Sequence, residues 1–218
     1  SWVLAKHFPR YRAEQIYRWV QEKDAEDYQS MANLPAELRK SLSEEFSIAF
    51  PKLYRRYTSR LDETEKFLFE LSDGHRIESV FMAYHHGNTA CISTQVGCKM
   101  GCAFCASTLS GLARNCSSGE MVGQIAAIEK YTGKKISNVV LMGSGEPLDN
   151  YDEVLRFIRI ISGKIGRNLS QRNITLSTCG IVPRIFELAE EKLGITLALS
   201  LHAPTDEKRR KIMPIANR

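Results

Sequence analysis

The sequence lacks any run of about eighteen apolar residues, so no transmembrane helix is expected. Its opening, Ser1-Trp2-Val3-Leu4-Ala5-Lys6, has neither a long apolar h-region nor a small-residue cleavage site, which argues against secretion and for a cytoplasmic location. The absence of an initiator methionine implies residues ahead of Ser1. No internal repeat and no low-complexity segment is present, which excludes solenoids, propellers and mucin-like stalks. Nor does one sign of charge dominate: 30 Lys and Arg face 25 Asp and Glu, for a net charge of +5. What is present is a chain of 218 residues with 43% hydrophobic composition, enough for one full domain and a small second one, and too apolar for global disorder.

The modest charge is unevenly distributed. Residues 1–88 are close to balanced, and nearly all of the basic excess falls in residues 89–218. A basic half is compatible with a polyanionic partner and equally with a solvated surface. The small basic runs Arg55-Arg56 and Lys208-Arg209-Arg210-Lys211 are candidate phosphate contacts on the same terms.

Periodicity divides the chain. Apolar residues at helical spacing predict a helix over 10–23 and a second one starting at Pro35, with Leu38, Leu42 and Phe46 on its buried face. Pro suits the first helical position, where its missing N–H would be unpaired anyway. Phe67–Leu71 and Arg76–Tyr84 alternate as strands around an Asp73-Gly74 turn, a hairpin signal. From residue 89 the pattern changes. Strands are expected at 89–94, 139–142, 174–178 and 195–200, with helices at 119–131, 151–161 and 183–192 between them. Such alternation predicts a parallel sheet. The expectation is an α/β chain: a helical accessory domain at 1–50, a linker and β-hairpin at 51–88, and a partial (β/α) barrel at 89–218.

Six cysteines are present, and four of them, Cys91, Cys98, Cys102 and Cys105, fall within fifteen residues. In a reducing compartment such a cluster serves metal or redox chemistry rather than disulfides. Cys98-Lys99-Met100-Gly101-Cys102-Ala103-Phe104-Cys105 has C-x3-C-x2-C spacing on a glycine-containing loop after the first core strand. Three thiolates can hold three corners of a 4Fe–4S cube and leave one iron open to a small chelating ligand, whereas closed clusters and structural zinc use four protein ligands.

This motif, with an aromatic residue before its last cysteine, resembles the signature of the radical S-adenosylmethionine (SAM) superfamily. Further blocks, Cys91–Cys98, Gly143-Ser144-Gly145-Glu146-Pro147-Leu148, Thr175–Thr178 and Ser200-Leu201-His202-Ala203-Pro204, resemble in order those of the enzymes that methylate carbon 2 of adenosine in 23S rRNA and tRNA. Tyr11–Ile16 and Asn33-Leu34-Pro35 resemble the accessory domain of that family. The resemblance implies a 4Fe–4S cluster on Cys98, Cys102 and Cys105, and SAM contacts from Gly145, Glu146, Ser177, Ser200, Leu201 and His202. Glu146 suits the cationic amino group of SAM, and the serine hydroxyls suit its ribose or carboxylate. Cys91 matches a cysteine that acts as a thiol base and releases product by forming a disulfide. Glu78, thirteen residues ahead of it, matches a glutamate assigned as a proton acceptor. Cys116 and Cys179 match no functional position and are assigned to packing.

The implied route is ping-pong. One SAM methylates a cysteine near the C-terminus, a second yields a 5′-deoxyadenosyl radical that abstracts hydrogen from that methyl group, and the carbon radical adds to adenine. The methyl-carrying cysteine and one further SAM-contacting asparagine have no match before Arg218. The resemblance also implies rRNA and tRNA as partners, an electron donor such as flavodoxin, no membrane association and a monomer. A carbon-8 adenine methyltransferase of the antibiotic-resistance type and a non-catalytic iron–sulfur RNA-binding fragment remain as alternatives.

Overall fold

A computed structural model describes residues 2–217. Three helices lead the chain: α1 Trp2–Ala5, α2 Tyr11–Gln21 and α3 Ala36–Glu45. Met31, Leu34, Leu38 and Leu42 form their small core, with Ile16, Trp19 and Val20 packed against it. Pro35 sits one residue ahead of α3 in an extended conformation, not at its first helical position. Phe46 also departs from expectation. It follows the helix, is half exposed and meets the edge of Trp2.

Four antiparallel strands come next: β1 Lys52–Thr58, β2 Glu65–Glu70, β3 Arg76–Tyr84 and β4 Gly87–Cys91. The expected hairpin is therefore three-stranded on its outer side and continuous with the core sheet. Phe67 and Phe69 of β2 are fully buried with rings stacked 5.4 Å apart, while β1 is exposed along nearly all its length. Gly74 takes φ +84° in the β2–β3 turn, where a Cβ would be strained. A short hairpin, β5 Gln95–Gly97 and β6 Leu112–Asn115, follows β4.

The remaining elements are α4 Ser118–Thr132, β7 Asn138–Leu141, α5 Tyr151–Ser162, β8 Ile174–Thr178, α6 Val182–Glu190, β9 Thr196–Leu199 and α7 Asp206–Ile212. Helix α4 starts at a capping box, Ser117 and Glu120 each satisfying the other's backbone N–H, and stops at Gly133 with φ +69°. The main sheet runs β1-β2-β3-β4-β7-β8-β9, with β4, β7, β8 and β9 parallel. Val139, Leu141, Ile174 and Leu176 join Ile125, Ile128, Phe157 and Ile158 of α4 and α5 in the core. This is a mixed α/β sheet that does not close into a barrel among the described residues.

The leading helices are tied to this core by charge. Arg167, nearly buried, bridges Asp24 and Glu129, and Lys135 reaches Glu129 at 3.0 Å and Asp24 at 3.3 Å. The Tyr17 hydroxyl donates to the Ile160 carbonyl at 3.0 Å.

The first core strand was expected over 89–94 but ends at Cys91; beyond it Ile92 still bonds to the backbone of Val140 and Gly143, Thr94 to that of Ser144, and Ser93 to a side chain. Buried Gln124 of α4 accepts from Ser93 N (2.8 Å) and donates to Ser93 O (2.9 Å), replacing a neighbouring strand. Its Oε1 also accepts from Ser79 Oγ at 2.8 Å. Gln124→Leu would leave these groups buried without partners. We expect it to cost about 3 kcal/mol in urea denaturation, each buried polar group left unsatisfied costing roughly 1–3 kcal/mol.

Candidate active site

The cysteine loop spans the β5–β6 hairpin and is held by backbone geometry. Gly97 has φ +76°, and a Cβ there would lie 2.0 Å from the Gly111 carbonyl oxygen, which accepts from Cys98 N at 3.0 Å. Cys105 N donates to Cys102 O at 3.0 Å, and Ala103 N to Ile212 O at 2.9 Å. These bonds fix the loop without using any cysteine sulfur. Gly143 and Gly145 lie at the end of β7 against backbone and side chain: a Cβ would approach Ile92 within 2.7 Å and Gln95 within 2.5 Å respectively. Gln95, fully buried, accepts from Glu146 N at 2.9 Å and donates to Asn115 Oδ1 and Asp149 Oδ2 at 2.7 and 2.9 Å. It thus joins the cysteine hairpin to the loop after β7. Lys99 extends the link, pairing with Asp149 at 2.8 Å.

Eight of the eleven site residues expected from the sequence line one cavity of about 330 Å³: Cys98, Cys102, Cys105, Gly145, Glu146, Ser177, Ser200 and His202. They come from the cysteine loop and from the ends of β7, β8 and β9, the end of a parallel sheet where α/β sites form. The hydroxyls of Ser177 and Ser200 lie 3.4 Å apart. His202, with φ +56°, stacks obliquely on Phe104 at 4.4 Å between ring centroids. Leu201 is not among the lining residues. Its side chain is half exposed and its carbonyl accepts from Ala203 N and from Arg209 Nε.

Cys91 and Glu78 lie outside the lining. Cys91 ends β4 opposite Val80 of β3, and burial pushes its thiol pKa up, with a backbone hydrogen bond from Met142 pulling the other way. Glu78 stands two residues from Val80 on the same face of β3, half exposed, with its carboxylate paired to Lys66 at 2.6 Å. The backbone ties it closer: its carbonyl accepts from Ser93 Oγ at 2.6 Å.

Glu146 is 4% exposed, and its carboxylate is divided between two strands' loops. One oxygen accepts from Leu148 N at 3.0 Å and the other from Cys179 N at 2.7 Å. Each oxygen keeps a further lone pair, on a group that lines the cavity. We expect Glu146→Ala to weaken SAM binding about tenfold by calorimetry while leaving iron content unchanged. The same variant should lose about 2 kcal/mol of stability, because two N–H groups lose their acceptor.

Sequence reasoning missed several features of this site. Cys179, assigned above to packing, lines the cavity and packs with Cys98, Met100, Cys102 and Met213. Its position two residues past Ser177, at the end of a core strand, is the signal that could have marked it. Cys116 is a packing residue as expected, fully buried, its thiol pushed up to about 12 by burial. Arg209, offered above as a phosphate contact, donates instead to the carbonyls of Cys179, Ser200 and Leu201 and clamps the ends of β8 and β9. Its neighbour Lys211 pairs with Glu207 at 3.0 Å, and Arg56 pairs with Glu65.

Among the described residues, no group of three or more His, Cys, Asp or Glu is gathered around a point suited to one metal ion. The three loop thiols instead all line one open cavity, as the corners of a 4Fe–4S cluster require. Soft thiolate donors match iron in such a cluster. The same lining carries Glu146 and two serine hydroxyls, donors and acceptors suited to SAM. The residues present fit both groups.

The model of the radical SAM superfamily matches residues 92–218, and that of the ribosomal RNA large subunit methyltransferase N-terminal domain matches residues 2–48. A "probable dual-specificity RNA methyltransferase RlmN" from Clostridium botulinum (strain Alaska E43 / Type E3) is 55% identical over 217 residues, covering 100% of this chain and 62% of the relative. One of the same name from Lachnoclostridium phytofermentans is 56% identical, over 95% of this chain and 58% of the relative. A crystal structure of a radical SAM methyltransferase from Sphaerobacter thermophilus superposes with a TM-score of 0.93 at 42% identity, over 99% of this chain and 64% of that one. The chain thus spans about three-fifths of the length of these relatives. With the superfamily model covering more than half of its residues, the chain belongs to the radical SAM superfamily, and it carries ahead of that core the N-terminal domain of the large-subunit ribosomal RNA methyltransferases.

Proposed function

We propose that this chain is the greater part of an enzyme that methylates carbon 2 of an adenosine in 23S rRNA and in tRNA, through a methyl-cysteine carried by a longer form of the protein. The observation that supports it is the pairing of the RNA methyltransferase N-terminal domain with a cavity lined by three thiols and by Glu146. Relatives named as dual-specificity RNA methyltransferases support the choice of substrate. An aromatic C–H carbon is a poor nucleophile, so ordinary displacement on SAM cannot methylate it; the cluster and SAM, when bound, supply the radical chemistry that can.

The chain's own residues have separable tasks in this reading. Cys98, Cys102 and Cys105 hold the cluster. Glu146 takes the amino group of SAM. Gly145 allows backbone approach, and Ser177, Ser200, Leu201 and His202 contact the rest of the cofactor. Cys91 and Glu78, on one face of the sheet, are the groups that move the carbon-2 proton, with Cys91 closing a disulfide on product release. Carbon 2 lies on an edge that stacking and pairing obstruct, so the adenosine must be splayed from its helix. The reading includes division of the chain at residues 50 and 88, a one-electron donor such as flavodoxin, a monomeric state and a cytoplasmic setting. No helix among the described residues is long and apolar enough to cross a membrane.

The test is reductive turnover of the full-length protein with SAM and rRNA or tRNA, followed by mass spectrometry of digested nucleosides. The reading requires 5′-deoxyadenosine and an adenosine methylated at carbon 2. A carbon-8 product would reassign the chemistry, and absence of SAM cleavage would reduce the protein to an RNA-binding role.

A further inference from the structure

Strand β1 combines basic residues with exposed aromatic rings. Residues 52–60 carry four Lys or Arg and no Asp or Glu, and Tyr54 and Tyr57 are 48% and 49% exposed. Charge alone would guard a free edge against pairing with another chain, but half-exposed rings do not serve that end. The register with β2 shifts between Leu53 and Arg55, so Tyr54 is an extra residue with no partner opposite. Directly opposed residues share a face, and the extra residue puts Tyr54, Arg55 and Tyr57 together on the face away from Phe67 and Phe69. The Arg76 guanidinium lies 3.5 Å over the Tyr54 ring on that same face, and Arg55 donates to the Tyr57 hydroxyl at 3.3 Å. Registers carry this face to the site. Tyr57 is opposite Lys66, Lys66 opposite Val80, and Val80 opposite Cys91. One row of side chains therefore crosses four strands, about 14 Å at roughly 4.8 Å per strand. The other face carries Phe67, Phe69 and Ile77, in one core with Ile125 of α4 and Phe157 of α5.

We propose that the exposed face of β1–β3 is a platform for a single-stranded segment of the RNA substrate, next to the adenosine delivered to Cys91. Bases stack on Tyr54 and Tyr57, and phosphates lie against Lys52 and Arg55. The proposal rests on the function proposed above, which needs the target base splayed from its helix. Unstacked bases are recognised by stacking on aromatic rings and guanidinium planes, and their backbone by cations alongside. Charge on this face suits a polyanion. Lys52, Arg55, Lys66 and Arg76 share it with only Glu70 and Glu78 on the three strands. Lys66 pairs with Glu78 at 2.6 Å and Arg76 with Glu70 at 3.4 Å, so Lys52 and Arg55 are left without a carboxylate partner among the described residues.

The experiment is fluorescence anisotropy of the full-length protein with an end-labelled, unmodified tRNA transcript over a range of salt. Tyr54→Leu and Tyr57→Leu should each weaken binding about tenfold with the salt dependence unchanged, since they remove stacking and no charge. Arg55→Gln should weaken binding and lower the slope of log affinity against log salt by about one phosphate contact. In turnover the tyrosine variants should raise KM for RNA about tenfold and keep kcat. Photo-crosslinking of wild type to a transcript bearing 4-thiouridine should mark residues 52–60, a measurement that needs no variant to fold. Unchanged affinity in both tyrosine variants, or crosslinks confined to other segments, would overturn the proposal and leave the reaction standing. Self-association lost in Tyr54→Leu with RNA affinity intact would also overturn it, assigning the edge to a second copy of the chain. Binding that the variants lose, in a protein whose wild type methylates no carbon 2, would keep the platform and remove the reaction. A wild type that binds no tRNA overturns the proposal together with the dual-substrate reading beneath it.

Discussion

Replacing Cys98, Cys102 or Cys105 by alanine, one at a time, should abolish the broad charge-transfer absorption of the anaerobically reconstituted protein, while Cys116→Ala leaves it intact. The contrast follows from position. The first three thiols line one cavity on a loop whose backbone is held by Gly97, Gly111 and Ile212, so they remain placed whether or not iron is bound. Cys116 is fully buried beside the core, its backbone bonded to Thr94 and Asn150. Because ligand binding deprotonates each thiol, losing one removes one of the three metal–sulfur bonds that the loop would supply. Each variant should fold normally, since the bonds Cys98 N to Gly111 O, Cys105 N to Cys102 O and Ala103 N to Ile212 O hold the loop through its backbone; unchanged circular dichroism checks this. Equal loss of absorption in Cys116→Ala would refute the three-ligand assignment.

The second large effect is expected at Cys91, in the full-length protein. Cys91→Ala should still accept a methyl group on the C-terminal cysteine, because simple displacement needs no help from this thiol. It should also still attack the adenine. What it would lack, on the proposed function, is the thiol that helps remove the carbon-2 proton and then displaces product as a disulfide. Thiolate attack requires a nearby, partly ionised cysteine. Burial raises the Cys91 pKa, with a backbone hydrogen bond from Met142 pulling the other way. The expected outcome is a covalent protein–RNA adduct, seen as a retarded band on a denaturing gel and lost on nuclease treatment. Normal turnover without that band would make Cys91 a packing residue and leave Glu78 as the leading candidate base.

What was legible in the sequence were the elements whose pattern is local. The core strands and helices from residue 119 to 200 follow apolar periodicity closely, and the cysteine spacing marked the loop that does bound the cavity. Strand β1 was not legible. Lys-Leu-Tyr-Arg-Arg-Tyr-Thr has no apolar alternation, and it pairs with β2 at an exposed sheet edge where backbone bonds suffice. The early end of the first core strand was equally hidden, since the partner of Ser93 N beyond it is Gln124, more than thirty residues away. Arg209 read as a surface charge until the fold laid three backbone carbonyls beside it. Cys179 carries the same lesson at the site itself. A cysteine outside a motif reads as filler, and only the return of β8 beside the cysteine loop shows what it faces.

The sheet order has a last consequence. Among the described residues, strand β9 is bonded to β8 on one side only, and Leu197 and Leu199 beside that ladder are 40% and 53% exposed. Open backbone donors and acceptors flanked by leucine form a template for another strand. Among the described residues the outer ladder of β9 therefore offers backbone groups and a leucine flank against which a further strand can be laid.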